Sequence, residues 1–363
     1  MKDRLGANFR QGLADTISSL IALLLAFVVS GLLILLTDAN PLEVFSSLFV
    51  GGLGSPLALA GTLNRMAPIL LAGLAITAGN SCGVFNIGFD GQFLVGFVMA
   101  AVVGCAVPLP PPLLIPLVFL AAIAGAMLWS FFPIFLNIRR DVNIIFSCIM
   151  LNYVGKYLVN YLIQQFPGYI ASTGGSPRVQ DAAMLPALIE KPYKINLAVL
   201  ISLISLALLY VILFQMRTGY EMRAAGLSRS AAYSAGIPVE KKAMAGMLLS
   251  GAFAGMCGAL ELTGITGRAI EDYAPGYMGL GIAVAMLGRE KPAMILLSAF
   301  LFAVMKNGTT LMQMKTGISA QFVLVIQGLL IIFVGIGPLF RYLMDRFRQS
   351  PKTIVEGSEA SHA

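Results

Sequence analysis

The stretch LLIPLVFLAAIAGAMLWSFFPIFL, residues 113–136, contains no charged side chain. A helix needs about 20 consecutive apolar residues to cross the hydrocarbon core of a bilayer. This run therefore predicts a membrane-spanning helix. Similar runs recur along most of the chain, so the predicted fold class is all-α, a polytopic membrane protein.

The composition agrees with a membrane protein over the whole length. Of the 363 residues, 58% are apolar and 11% are charged, and the mean hydropathy is +0.86. An ordinary soluble domain carries about 25% charged residues, so this chain has too few charges to form a soluble surface. A disordered chain is excluded as well, because disorder requires low hydrophobicity.

Several classes of functional site are also unlikely on composition. The net charge of +7 comes from short basic clusters between apolar runs, which do not form the continuous basic face of a nucleic-acid-binding protein. The only histidine, His362, lies next to the C-terminus. We expect no catalytic residue, no metal site and no disulfide framework, because the four cysteines are far apart and lack any CxxC or zinc spacing: Cys82, Cys105, Cys148 and Cys257.

Ten segments are predicted to be membrane spans, with broken or re-entrant elements among them. The segment 277–288 is too short to cross the bilayer by itself. Two other predicted spans contain polar residues. The ten segments are 16–36, 57–78, 88–107, 113–136, 143–165, 195–215, 243–263, 277–288, 291–310 and 318–337.

The distribution of basic residues predicts the orientation of these spans. If the N-terminus is cytoplasmic, 16 of the 24 Lys and Arg residues lie on the cytoplasmic side and 6 on the other side. Arg65 and Lys156 fall inside spans. Cytoplasmic loops carry an excess of Lys and Arg, so both termini are predicted to be cytoplasmic.

This orientation divides the chain into three parts. Residues 1–15 form a cytoplasmic segment, 16–337 the transmembrane domain, and 338–363 a cytoplasmic tail. Two loops of the domain are long. The Pro/Gly-rich loop 166–194 faces outward, and the loop 216–242 faces the cytoplasm, where its alanine pattern predicts one or two short helices.

The stretch GNSCGVFNIGFDGQFLVG, residues 79–96, is the most unusual part of the sequence. It places Asn86, Asp90 and Gln92 between apolar runs, and four glycines interrupt helix continuity. Irregular backbone at membrane depth survives only where it is buried in protein or lines a wet cavity. An ionisable residue there is a candidate for function. The structural alternative, that Asp90 caps the helix beginning near Gly91, stays open.

Polar residues in other spans are further candidates for a substrate pathway. Asn64 lies in the second predicted span, and Asn152 and Lys156 lie on one face of the fifth together with Asn160. Such a face should point away from lipid. The alternatives are interhelical hydrogen bonds for the asparagines and snorkelling for Lys156.

A rival hypothesis uses the two intramembrane carboxylates, Asp90 and Glu261, as a proton or sodium relay. The chain would then be an ion-coupled secondary transporter of a small polar solute, a class that often has discontinuous helices near the midplane. An intramembrane enzyme is disfavoured, because neither a HExxH pattern nor a Ser/Lys dyad is visible.

Four motifs in the expected order resemble those of ABC importer permeases for nucleosides and simple sugars, in the branched-chain/monosaccharide-type superfamily. GVFNIGFDGQFLVG (83–96) resembles the FNIGxEGQ signature, with Asp90 where Glu is commoner. The other three are TGYEMRAAGLSRSAAYSAGIPVEKK (218–242), MLLSGAFAGMCGAL (247–260) and GYMGLGIAVAMLGREKP (276–292). The early NPLEVFSSLFVGGLGS (40–55) is similar to the nucleoside branch.

The resemblance implies a permease subunit of an ATP-driven importer in a bacterial cytoplasmic membrane, which is not itself an enzyme. The sequence contains no Walker A motif, so ATP would be bound and hydrolysed by another chain, and no cofactor is expected here. The implied partners are an ABC ATPase, a second homologous permease in a heterodimer, and an extracytoplasmic substrate-binding lipoprotein. The implied substrate is a nucleoside or a simple sugar.

The loop 216–242 is, by the same resemblance, the element that couples the permease to the ATPase. Small residues would let a short helix pack closely, and basic residues would make polar contacts. The alternative is an ordinary positive-inside loop. The residues assigned to coupling are Arg223, Ala224, Ala225, Gly226, Arg229 and Gly236.

Overall fold

The computed structural model describes residues 24–36, 39–190, 193–319, 321–329 and 331–333. The predicted segments 1–15 and 338–363, and the beginning of the span 16–36, lie outside these described residues. The chain divides into two compact units, residues 42–323 and the flanking segments 1–41 with 324–363. The candidate sites all lie in the unit 42–323.

The described chain is almost entirely helical. Helices α7 and α10 each continue into one wider π-helical turn, Val211–Gln215 and Leu262–Thr266. The helices are α1 (Leu24–Leu35), α2 (Pro41–Leu53), α3 (Pro56–Asn80), α4 (Phe89–Ala106), α5 (Pro111–Arg140), α6 (Ile144–Gln164), α7 (Ala198–Tyr210), α8 (Arg217–Leu227), α9 (Arg229–Ser234), α10 (Val239–Glu261), α11 (Tyr277–Gly288), α12 (Pro292–Thr316) and α13 (Gln321–Phe333).

Six helices in the described ranges are long and apolar enough to cross a membrane: α3, α4, α5, α7 with its π turn, α10 with its π turn, and α12. Each coincides with a predicted span. Helix α6 also lies where a span is predicted, but its polar residues leave it outside this group. The total of ten spans stays a prediction.

Helix boundaries follow from local sequence. Proline occupies the first turn of α3, α5 and α12, where its missing N–H costs nothing. Ser55 caps α3 by accepting a hydrogen bond from the Ala58 N–H at 3.0 Å. At the other end of α12, Gly317 takes a left-handed conformation (φ 70°), the usual way for a helix to stop.

Two features differ from the prediction. The sequence did not indicate helix α2. The loop 166–194 contains a short helical turn, Asp181–Ala183, and leads into an antiparallel pair of strands, β1 (Ala187–Ile189) and β2 (Ile195–Asn196). The fold is mostly helical as predicted, and this short strand pair is a local exception, where polar residues and prolines interrupt helical periodicity and a hairpin satisfies the backbone.

Helix α10 packs closely against its neighbours through small residues. A Cβ added at Gly258 would lie 2.7 Å from the Phe93 carbonyl oxygen of α4, and one at Gly255 would lie 2.8 Å from Ala126 Cβ of α5. The recurrence of small residues along this helix predicts such a contact. The close approach fixes α10 against α4 and α5.

Candidate coupling and transport sites

The segment between α3 and α4, residues 81–88, is largely buried in the helix bundle, although Phe85 is 39% exposed. Asn86 has no exposed surface and donates a hydrogen bond to Ser250 Oγ of α10 at 2.7 Å. The Ser250 hydroxyl in turn donates to the Ala75 carbonyl oxygen of α3 at 2.6 Å. The structure therefore shows the irregular backbone predicted here, buried in protein.

Asn86 and Gln92 form a reciprocal amide pair across the start of α4. Asn86 Nδ2 donates to Gln92 Oε1 at 2.8 Å, and Gln92 Nε2 donates to Asn86 Oδ1 at 3.2 Å. Asn86 Oδ1 also accepts from the Gly88 N–H at 2.9 Å. All the hydrogen-bonding positions of the Asn86 amide are thus occupied. Their role in a substrate pathway stays a prediction, and their visible role is to fix the start of α4.

Asn152 of α6 holds the same segment from the opposite side. Its Nδ2 donates to the Ile87 carbonyl oxygen at 2.8 Å, and its Oδ1 accepts from the Gly91 N–H at 2.8 Å. The first N–H groups of a helix lack partners within it, so Asn152 supplies one for α4. A Cβ at Gly91 would lie 3.0 Å from Asn152 Oδ1 and 3.0 Å from Trp129 Nε1, so a larger residue here would force these side chains to shift.

Asp90 does not cap its own helix. The residue at the N-cap of α4 is Gly88, and Asp90 lies in the first turn. The geometry therefore differs from the simple capping interpretation, because Asp90 follows the N-cap position. The role of Asp90 in a substrate pathway stays a prediction.

Helix α8 rests directly on the backbone of the 81–88 segment. A Cβ at Gly226 would lie 2.5 Å from the Ser81 carbonyl oxygen and 3.0 Å from the Gly83 nitrogen. Gly83 itself has a φ of 71°, in the left-handed region that favours glycine. The two backbone segments meet here with no side chain between them.

The predicted coupling residues on the inner side of α8 hold it to the bundle. Arg223 Nε donates to the Leu213 carbonyl oxygen at 3.0 Å, and its guanidinium lies 4.6 Å from the centre of the Phe214 ring. Ala225 is fully buried, and Ala224 is half-buried. These residues therefore position α8 within the permease chain.

Helices α8 and α9 together form the α8–α9 hairpin. An ion-pair cluster ties its first helix to the beginning of α10. Glu221 contacts Lys242 at 2.7 Å and Arg217 at 3.0 Å. The hydrogen bond from Lys242, followed by that from Arg217, lowers the pKa of the Glu221 carboxyl below its usual value. Glu221 therefore stays ionised at neutral pH and links α8 to the beginning of α10.

The outer side of the hairpin is exposed. Leu227 is 89% exposed and Tyr233 is 78% exposed, and Arg229 lies beside them in sequence on the same exposed turn. Gly236 ends α9 with a φ of 79° and has no atom within 4 Å of a Cβ placed on it. Large apolar side chains so exposed at a chain reversal are typical of an interaction surface.

Asn64 and Lys156 have partners outside the 81–92 network. Asn64 Nδ2 donates to the Lys194 carbonyl oxygen at 2.9 Å, and Asn64 Oδ1 accepts from the Asn196 N–H at 2.8 Å. Asn64 thus fastens strand β2 to α3.

Lys156 pairs with the carboxylate of Asp272 at 3.0 Å. Asn160 Nδ2 donates to the same carboxylate at 3.1 Å. Lys156 first, and then Asn160, lower the pKa of Asp272 through these hydrogen bonds. The polar face predicted on α6 exists, but it binds loop residues at one end and the start of α4 at the other.

Glu261 lies in a buried cluster whose other members the sequence did not indicate. Glu261 is 1% exposed and accepts hydrogen bonds from the hydroxyls of Tyr273 and, at 2.8 Å, Tyr277. The Tyr273 ring stacks on Phe97 of α4 at 5.2 Å. The sequence indicated Glu261 as an intramembrane carboxylate, but nothing in the spacing of Tyr273 and Tyr277 identifies them as its partners.

A comparison with protein families agrees with this architecture. Residues 58–335 match the family described as branched-chain amino acid transport system / permease component. The chain belongs to this permease family. The resemblance drawn from the four motifs is confirmed, and the permease is a multi-pass membrane protein.

Characterised relatives of the permease cover nearly its whole length. It is 32% identical to the glucose ABC transporter permease protein TsgB13 of Haloferax volcanii, over 88% of this chain and 87% of that protein. It is 31% identical to the guanosine ABC transporter permease protein NupP of Bacillus subtilis, over 93% and 98%. The nucleoside ABC transporter permease protein NupB of Lactococcus lactis is 26% identical over 94% and 95%.

Proposed function

We propose that this permease is the membrane subunit of an ATP-driven importer that moves a nucleoside across the bacterial cytoplasmic membrane by alternating access. A simple sugar is the second candidate, since one of the similar permeases is named for glucose and another for guanosine. The observation that carries the proposal is the α8–α9 hairpin, which packs backbone to backbone on the buried segment and leaves its outer side exposed.

The hairpin has two sides with different tasks in this proposal. The outer side, with Leu227, Arg229 and Tyr233, contacts the ATPase. The inner side, with Arg223 and Gly226, fixes the hairpin to the permease, so that movement of the ATPase displaces the bundle. A rigid-body change between two states would then switch access to the pathway.

The distribution of basic residues supports placing this hairpin in the cytoplasm, together with both termini. The loop 166–194 and strand β2 then face outward, where an extracytoplasmic lipoprotein would deliver the substrate. A second homologous permease completes the pathway in a heterodimer. ATP is bound by the ATPase chain, because this sequence contains no Walker A motif.

Purification of the intact assembly from native membranes, followed by uptake into proteoliposomes, tests the proposal. We expect an ATPase chain to copurify and radiolabelled nucleoside to accumulate only when ATP is enclosed in the vesicles, because import moves the substrate toward the side that carries the ATPase. Competition by unlabelled purine nucleosides, pyrimidine nucleosides and glucose then ranks the substrates. An assembly without a nucleotide-hydrolysing chain would refute the proposal.

An ionophore experiment separates this mechanism from ion-coupled secondary transport. A proton or sodium ionophore should leave uptake unchanged while ATP is maintained, because the energy comes from hydrolysis. Vanadate should stop uptake under the same conditions. Immediate loss of uptake with the ionophore, at constant ATP, would favour the relay hypothesis based on Asp90 and Glu261.

A further inference from the structure

Arg65 is a charged side chain within the long apolar helix α3. It is exposed in this chain, and its Nε–H donates to Asn307 Oδ1 of α12 at 3.2 Å. Asn307 Nδ2 donates in turn to the Ala58 carbonyl oxygen at 2.9 Å and to Thr62 Oγ1 at 3.1 Å, so its amide is held in place. The two Nη atoms of Arg65 have no partner among the described residues, so four of its five N–H donors are available to a ligand.

The position of Arg65 along α3 places it at membrane depth. It lies nine residues after Pro56 and 15 residues before Asn80, which is about 14 Å and about 22 Å along the helix axis. A hydrocarbon core about 30 Å thick therefore encloses this position. A charged side chain at that depth faces protein or a water-filled cavity, and not lipid.

Packing against α10 places Glu261 at the same depth as Arg65. Helices α3 and α10 run antiparallel, as two contacts show: Gly246 lies near the Ala78 carbonyl oxygen, and Cys257 Sγ donates to the Pro68 carbonyl oxygen at 3.3 Å. Glu261 follows Cys257 by one turn of α10, and Arg65 precedes Pro68 by about one turn of α3. Arg65 and Glu261 therefore lie in one layer of the bundle.

Two cations and one carboxylate belong to this layer. Both oxygens of the Glu261 carboxylate already accept tyrosine hydroxyls. Lys306 of α12 donates from Nζ to the Pro275 carbonyl oxygen at 2.9 Å and lies 4.3 Å from the centre of the Tyr277 ring. Within the described ranges, neither Arg65 nor Lys306 forms an ion pair. The layer therefore favours a solute that offers hydrogen-bond acceptors.

The connection between α10 and α11 leaves open space beside these groups. Its last residue, Gly276, is exposed, and a Cβ there would meet no atom within 4 Å. Gly276 follows Pro275, the partner of Lys306, and Lys306 adjoins Asn307, the partner of Arg65. Irregular backbone at membrane depth is tolerated only within protein or along a water-filled cavity. In many transporters the substrate site lies beside such a break between helices.

We propose that Arg65 is a substrate-binding residue of the transport pathway, and that its guanidinium takes a 6-oxopurine nucleoside, such as inosine or guanosine, through O6 and N7 of the base. Asn307 is its positioning residue, because it holds Nε and leaves both Nη groups available. The inference rests on the proposed function and narrows its substrate class.

The geometry of the guanidinium gives this choice of base its physical reason. A planar guanidinium presents paired N–H groups to two acceptors that lie in one plane. O6 and N7 of a 6-oxopurine form such a pair, whereas adenine offers N7 beside an amino donor. A glutamine at position 65 would match adenine instead, because its amide can bind both N6 and N7. The identity of the base therefore tests the assignment directly.

Uptake into proteoliposomes with enclosed ATP is the measurement. The complete assembly, including its binding protein, is supplied with radiolabelled inosine or adenosine, and kcat/KM of uptake is determined for each. The binding protein is the same in every sample, so a change in the inosine-to-adenosine ratio reports the permease. We expect Arg65→Gln to lower this ratio at least tenfold.

Arg65→Lys keeps the charge but loses the paired donors. We expect the ratio to fall at least threefold in this variant while the assembly stays intact. Arg139→Gln is the matched control, because Arg139 is an exposed arginine in the last turn of α5, and it should keep the original ratio. Copurification of the second permease and the thermal midpoint are measured for every variant.

Other results would overturn the inference in distinguishable ways. An unchanged ratio in correctly assembled Arg65→Lys would show that Arg65 does not read the base. Loss of the second permease from both Arg65 variants would assign this side chain to the interface between the subunits. ATP-driven uptake of glucose, but of no nucleoside, would refute the substrate class alone. Nucleoside uptake that does not require ATP would instead refute the proposed function.

Discussion

The two ends of the bundle are connected in different ways. At one end, α8 meets the buried segment through Gly226 and Gly83, with backbone against backbone. At the other end, the 166–197 region is held by backbone hydrogen bonds, such as the one from the Leu185 N–H to the Thr263 carbonyl oxygen at 3.0 Å, and by side chains, such as Asn64 on β2. The outer pair Lys156–Asp272 is also exposed, at 42% and 67% of the two side chains.

The difference indicates which end transmits movement. A close backbone contact has no rotatable side chain to absorb a displacement, and packed interiors transmit strain. Tethers made by long or exposed side chains can change rotamer or partner at little cost. In the proposed function, the first end receives force from the ATPase, and the exposed pair Lys156–Asp272 at the other end can change partner at little cost.

Gly226→Leu should have the largest effect on this comparison. The side chain would meet the Ser81 carbonyl oxygen, so α8 must move away, with an overpacking cost of about 1–3 kcal/mol. We expect uptake to fall more than tenfold, measured in proteoliposomes beside ATP hydrolysis. Gly317→Asn is the control, because Asn tolerates a left-handed φ and no described atom lies within 4 Å of a Cβ at this position. Normal coupling in Gly226→Leu would contradict a rigid contact.

Asn86→Ala should have an intermediate effect. It leaves the buried Gln92 amide without its partner, which costs about 1–3 kcal/mol. We expect a lower thermal midpoint of the purified permease and weaker coupling. Ser250→Ala leaves the amide pair of Asn86 and Gln92 in place and removes the hydrogen bond from Asn86 to Ser250, so it should lower the midpoint less. An Asn86→Ala protein as stable as the original would show that the amide pair does not fix the start of α4.

Lys156→Met should have the smallest effect. The ion pair with Asp272 is solvent-exposed, and such pairs contribute little. We expect an unchanged thermal midpoint and normal ATP-driven uptake. A large loss of uptake with an intact fold would instead support the predicted role of Lys156 in the substrate pathway.

Local patterns were sufficient to predict most of the helices. Apolar runs located the spans, and the alanine pattern of 216–242 predicted the two helices α8 and α9. The glycines and polar residues of 79–96 predicted an interrupted, buried segment, because unpaired backbone is not tolerated against lipid. All of these predictions depend on residues close together in the sequence.

Contacts between distant residues could not be predicted in this way. Glu261 accepts hydrogen bonds from the hydroxyls of Tyr273 and Tyr277, whose positions depend on how the helices pack. Arg223 also illustrates the limit: the sequence does not show that its side chain contacts the Leu213 carbonyl oxygen and the Phe214 ring. Such assignments require the rotation of each helix about its axis, which weakly amphipathic membrane helices do not encode in their periodicity.

The single tryptophan of the chain stands at the junction described above. Trp129 lies against Gly91 and Gly155, and its indole N–H is buried without a hydrogen-bond partner among the described residues. Its fluorescence therefore offers a native optical probe of the start of α4. Emission that shifts with nucleotide would report movement of this junction in real time, without any added dye.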